Sequence, residues 1–150
     1  MQTLESIAPP SGRFQLEVRR KGVIVPELCV DEKNLIVDNS KTIFSRLLGG
    51  DDQANRRVTK IAFGTNGSAP AGGNTAITGA FIKAIGSVTY PSASTVSFAF
   101  SLTTGENNGM NIMEFGLLTP TDVLFARKNR TTALPKDADL SFSGLWTISF

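Results

Sequence analysis

Histidine is absent from this chain of 150 residues, and cysteine occurs once. Without imidazole there is no Ser-His-Asp or Cys-His nucleophile arrangement, no imidazole general base and no His-containing metal site. The lone Cys29 cannot form an internal disulfide, so no oxidising compartment is implied, and its apolar neighbours suit a small buried hydrophobe. Charged residues make up 19%, fewer than usual, which suggests that part of the surface is covered by neighbours. The net charge of +2 is too balanced to imply nucleic-acid binding by itself. No apolar run is long enough to span a bilayer, and the first twelve residues lack the basic start and apolar stretch of a signal peptide. The chain is therefore expected to be soluble, made in the cytoplasm and without membrane partners.

What is present is alternation. In the closing run Asp-Leu-Ser-Phe-Ser-Gly-Leu-Trp-Thr-Ile-Ser-Phe, the residues Leu140, Phe142, Trp146, Ile148 and Phe150 all occupy even positions. Successive strand side chains point to opposite faces, so a period of two predicts a strand with one apolar face. Such a strand belongs in a core or an assembly interface, since an exposed one invites aggregation. Thr95 to Leu102 repeats the pattern with Val96, Phe98, Phe100 and Leu102, and Phe14, Leu16 and Val18 begin it.

Further strands are predicted at Val23 to Val30, interrupted by Pro26, at Val58 to Phe63 and at Phe81 to Tyr90. Asn111 to Leu118 and Val123 to Arg127 form a hairpin around Thr119-Pro120-Thr121-Asp122. One helix is predicted over 39–48, capped by Asn39 or Ser40, with an apolar stripe of Ile43, Phe44, Leu47 and Leu48 and a stop at Gly49-Gly50. A basic loop from Lys128 to Lys136 leads into the last strand. The expected organisation is a flexible arm, residues 1–12, followed by one domain, residues 13–150. Its fold class is mainly β: an antiparallel β-sandwich, jelly-roll-like, with one short helix.

Few constellations point to chemistry. The stretch Gly64-Thr-Asn-Gly67 with Ala71-Gly72-Gly73-Asn74 lacks the Lys and Ser or Thr that a phosphate-binding loop places before a helix, so it reads as an ordered surface loop. Glu114 sits within Ile112-Met113-Glu114-Phe115-Gly116, where a carboxylate needs a partner, and Arg127 across the hairpin can supply one. Asp31-Glu32 and Asp51-Asp52 lack the spacing of a calcium loop and read as solvated turns. The clusters Arg19-Arg20-Lys21, Arg56-Arg57 and Arg127-Lys128-Asn129-Arg130 have no interleaved aromatics for stacking single strands. Lining a channel for DNA needs only backbone electrostatics and stays open. No catalytic, cofactor-binding or metal-ligating residue is assigned, and the chain reads as a non-enzyme without cofactors.

Asn34-Leu-Ile-Val-Asp-Asn, Ile61-Ala-Phe-Gly-Thr-Asn-Gly, Ala69-Pro-Ala and Asn74-Thr-Ala resemble stretches in structural proteins of tailed bacteriophages. Met113-Glu-Phe-Gly-Leu-Leu, Val123-Leu-Phe-Ala-Arg, Leu134-Pro-Lys and Leu145-Trp-Thr-Ile-Ser-Phe are similar to the same group, in the same order. The position after Asp38-Asn39 is often glycine there and is Ser40 here, which touches only the start of the helix. The resemblance implies a virion component, assembled in the host cytoplasm, of the tail-fibre, baseplate or collar type. With no long repetitive shaft, it implies an adaptor or ring-forming piece that joins copies of itself and other virion proteins. A capsid decoration or head-fibre protein, or a host-surface carbohydrate-binding module, are the alternatives. Interfaces are expected at the arm 1–12 and the loop Gly64–Asn74, and the core at Phe142, Trp146, Ile148 and Phe150.

Overall fold

The computed structural model describes residues 8–150, and within them the chain is mainly β with one helix longer than a turn. The strands are β1 (Ser11–Arg20), β2 (Val23–Ile24), β3 (Val30–Ile36), β4 (Lys60–Gly64) and β5 (Phe81–Ala84). They continue as β6 (Ser87–Ser92), β7 (Thr95–Leu102), β8 (Asn111–Leu118), β9 (Leu124–Pro135) and β10 (Leu140–Ser149). All pairings are antiparallel, in the order β5-β4-β8-β9-β3-β1-β10-β7-β6, with β2 added beside β1.

This is one continuous, curled ten-stranded sheet rather than the two separate sheets of the expected sandwich. The stitch is β3, which pairs with β1 from Val30 to Asn34 and then with β9 through Leu35↔Arg127 and Ile36↔Ala126. The two ends of the sheet are consecutive pieces of one segment, so curling almost closes it. The Ile85 amide donates to Thr59 O (2.9 Å) on the β4 side, and the Gly86 amide to Ala99 O (2.8 Å) on β7.

Curling brings the two halves face to face around an aromatic core. Phe14 of β1 lies 4.6 Å, ring to ring, from Phe115 of β8, and Phe63 of β4 lies 6.2 Å from Phe100 of β7. Strand alternation supplies this core as predicted: Phe14, Leu16, Val18, Phe98, Phe100, Leu102, Phe142, Trp146 and Ile148 are all buried. The even face of β10 is interrupted at Gly144, where a Cβ would overlap the ring of Phe100 on its cross-strand neighbour. The missing side chain is the space that Phe100 fills.

Several expectations are corrected. Phe150 is 57% exposed and only edges against Phe44 of the helix (5.4 Å), because β10 ends at Ser149 and the last residue passes the sheet's rim. The arm ends earlier than residue 12: Ser11 and Gly12 already pair with Ser149 and Ile148, and residues 1–7 of the arm lie outside the described residues. The strand predicted from Val23 to Val30 is β2, a 3-10 turn at Pro26–Leu28 and the start of β3, since Pro26 has no amide for a ladder. Asp31-Glu32 is no turn but lies within β3, its charges answered by Arg13 (2.8 Å) and Lys128. Phe81 to Tyr90 divides into β5 and β6 at Ile85-Gly86.

The basic stretch after Lys128 is not a loop but the rest of β9, with a bulge where Met113 alone faces Arg130 to Ala133. Helix α1 (Asn39–Gly49) is capped by neither Asn39 nor Ser40; Asp38 holds the cap position without a side-chain bond, and Ser40 is buried. Ile43 is buried and Phe44 packs on Phe125 of β9 (5.3 Å), whereas Leu48 is 93% exposed and outside the stripe. Gly50 ends the helix in the left-handed region, at φ 75°. A further short helix, α2 (Gln53–Arg56), follows between the Asp51-Asp52 turn and β4.

Candidate functional site

The segment between β4 and β5 does not hang free. It lies on the outer face of the β4-β8-β9 half-sheet, where Ile77 packs with Val37, Ala62, Leu118 and Leu124 in a second, small apolar cluster. Beside that cluster the Glu114 carboxylate and the Arg127 guanidinium, 0% and 1% exposed, meet at 2.7 Å between Oε2 and Nε. Both come from adjacent strands: Arg127 stands opposite Gly116, two residues along β8 from Glu114. The partner proposed from sequence is the partner found.

A buried ion pair costs desolvation unless its remaining donors and acceptors are filled. Here the loop fills them. Glu114 Oε1 accepts the amides of Asn66 (3.2 Å) and Thr78 (2.6 Å). Arg127 Nη2 donates to Asn66 O (2.7 Å), and Nη1 to Ser68 O (3.0 Å) and Asn74 Oδ1 (3.3 Å). Asn129 adds a bond to Gly67 O (3.1 Å), and the Asp38 amide donates to Gly72 O (2.9 Å). Glycines make the approach possible: a Cβ at Gly64 would stand 2.6 Å from Glu114 Oε1, and one at Gly67 would overlap Met113. Two features read separately in the sequence, a buried carboxylate and a glycine-rich loop, are therefore one device. The pair is the anchor, and the loop is what it holds.

That arrangement leaves Glu114 no free oxygen with which to move protons, and no second carboxylate among the described residues joins it. Among the described residues no group of three or more Asp, Glu or Cys side chains is placed to hold a metal ion. No described helix is long and apolar enough to cross a membrane.

The basic clusters are largely paired within the chain. Arg19 binds Glu17 (2.6 Å), Arg20 binds Asp137 (3.1 Å), and Arg56 stands 3.7 Å from Asp51. Of the third cluster, Arg127 is buried, Lys128 reaches Glu32, and Arg130 donates to Leu28 O (3.1 Å). Burial lowers the Arg130 pKa from its ordinary value. Arg130 and Lys128 line a cleft of about 510 Å³ where β3 and β9 splay apart below their two paired residues, with Phe14 and Phe115 beneath it.

Sequence reasoning missed two positions. Lys136 is 2% exposed and clamps the 103–109 turn, donating from Nζ to Asn108 Oδ1 (2.7 Å), Asp137 O (3.0 Å) and Thr104 O (3.4 Å). Its burial lowers its pKa. Asn34 accepts a bond from Trp146 Nε1 (2.8 Å), which satisfies the indole inside the core. The sequence carries no signal for Asn34: the space for its side chain is left by Gly12, its cross-strand partner, which only the pairing reveals. No protein-family model matches the chain, and neither a curated protein nor a solved structure matches it.

Proposed function

We propose that this chain is a non-enzymatic structural component of a tailed-phage virion, of the tail-associated baseplate, collar or fibre-attachment type. It assembles as a symmetric oligomer and joins other virion proteins through non-covalent contacts. The observation that carries the non-catalytic part is the Glu114–Arg127 anchor: the buried charges are committed to holding a loop on a sheet face. A loop ordered in advance presents its backbone to a neighbour at little further entropic cost. The virion assignment rests on the ordered set of sequence stretches from Asn34 to Phe150 that resembles phage structural proteins.

In this reading the two halves of the curled sheet act as a sandwich-like body. The arm preceding β1 and the loop Gly64–Asn74 meet neighbouring subunits, and repeated weak contacts sum around a symmetry axis. A DNA-channel lining gains no support from Arg19, Arg20, Arg127 or Lys128, each of which is engaged with an acidic partner. A sugar-binding role is less well served, because Trp146 is fully buried; Tyr90, 77% exposed, is the aromatic best placed for stacking. A capsid decoration protein would use the same surfaces and differ in its place on the particle.

Because β1 begins at Ser11, the test is deletion of residues 1–10. The truncated chain should keep the melting behaviour of the whole protein and lose assembly by light scattering. Assembly unchanged by the deletion would remove the arm from the interface.

A further inference from the structure

The outer faces of the two half-sheets differ. The β4-β8-β9 face is covered by the loop that Glu114 and Arg127 hold, whereas on the outward side of β7 and β10 Ser101, Ser143 and Leu145 are exposed, with Ser97 buried between its neighbours. That open face is also without charge. No Asp, Glu, Lys or Arg occurs from Ala84 to Gly105, nor from Leu140 to Phe150, and the topology sets these two stretches side by side.

Register fixes the pattern. Ala99 stands opposite Leu145, Ser97 opposite Thr147 and Ser101 opposite Ser143, all on the side away from the aromatic core. The hydroxyls of Ser97 and Thr147 bond each other at 2.8 Å, so they ask little of solvent. Leu145, 36% exposed, is the large apolar side chain of the face, on the strand that borders β1. Charges return at the next strand, where Arg13 and Glu17 of β1 form a rim. A charge-depleted centre with a polar rim is the composition of a protein interface.

We propose that this face docks on the same face of a second copy of the chain, back to back about a twofold axis. The inference rests on the assembly reading above and names the surface that it uses. A twofold contact sets a patch against itself, so any charge near the axis would meet its like; β6, β7 and β10 carry none. A charged partner would instead bury an unanswered charge against Leu145 and the hydroxyls. Pairing through the free edge of β6 is disfavoured by Pro91 within it, which leaves the face rather than the edge. Three strands side by side cover about 14 Å and eight residues about 27 Å, a flat area of about 400 Å². That is less than the roughly 800 Å² per partner of an independent stable interface, as suits a contact made in concert with others.

The experiment is sedimentation equilibrium of the full chain over a wide concentration range, for wild type, Leu145→Arg, Ser143→Lys and Leu48→Arg. Leu48 is the control, being 93% exposed on the helix, away from this face. Wild type should self-associate, both face variants should weaken association at least about tenfold, and the control should match wild type. Circular dichroism melts of each variant verify folding, and Ser143→Lys, at an exposed position, serves should Leu145→Arg unfold. Wild type that associates while a folded Ser143→Lys associates equally well overturns the face and leaves the assembly reading standing. Wild type that stays monomeric throughout overturns both.

Discussion

Replacing Arg127 by Met is the most informative single perturbation of this fold. It leaves Glu114 buried without its countercharge and takes the donors from Asn66 O, Ser68 O and Asn74 Oδ1 together. Breaking a buried ion pair by removing one member costs about 3–5 kcal/mol, chiefly through the stranded charge. At about 2–4 °C per kcal/mol for a domain of this size, the melting temperature should fall by roughly 6–20 °C. Thermal melts by circular dichroism give that number. Hydrogen exchange gives the second half of the claim: the amides of Asn66 and Thr78, which donate to Glu114, should lose protection more than those of β10. The double variant Glu114→Leu with Arg127→Met separates the two parts. Removing both charges should restore much of the stability, yet leave the two loop amides without an acceptor and still exchanging fast. An Arg127→Met protein destabilised by less than about 1 kcal/mol, with loop protection unchanged, would refute the anchoring argument.

Gly144→Ala should cost about 1–3 kcal/mol, since its Cβ would overlap the Phe100 ring in a filled core; denaturant unfolding measures it, and a neutral result would mean that Phe100 has another rotamer free. Asn34→Leu should cost about 1–3 kcal/mol by orphaning the buried indole N–H, and the fluorescence of the lone Trp146 should report a changed environment. The Glu106 carboxyl is held down at about 2, first by its hydrogen bond from Lys83 and then by the Thr103 amide. Its folded value lies below the ordinary 4.5, so this contribution is complete above that pH and is lost as pH falls toward 2. Exchange protection in the 103–109 turn, taken relative to the intrinsic rate at each pH, should therefore fall in acid, and Glu106→Gln should show the reduced protection already at neutral pH.

The parts of the fold that alternation could reveal were legible. β1, β7 and β10 bury chiefly one face each, so their period of two survives in the sequence and marks Phe14, Phe98, Phe100, Phe142 and Trp146 as core. β3 was not legible, because Asp31-Glu32-Lys33-Asn34 is mostly exposed and its charges are answered by residues distant in sequence. Missing β3 is what turned one curled sheet into an expected sandwich. The second half of β9 was hidden for a related reason: a bulge at Arg130 to Ala133 breaks the period. The ion pair was visible because Glu114 is implausible in an apolar strand without a partner. That the pair also holds Gly64 to Thr78 was invisible, since those bonds run to backbone groups, which carry no mark in a sequence. Lys136 shows the same limit, looking like one more basic surface residue until its three acceptors are placed around it.

Immunogold electron microscopy decides whether this chain is, as proposed, a built-in part of a phage particle. Antibody raised against the chain is applied to intact and partly disassembled tailed-phage particles whose genome encodes it. Label is expected at the neck, baseplate or fibre attachment, at regular positions on each particle. Label spread over the head would move the chain to the decoration role, and particles without label in either state would contradict the account.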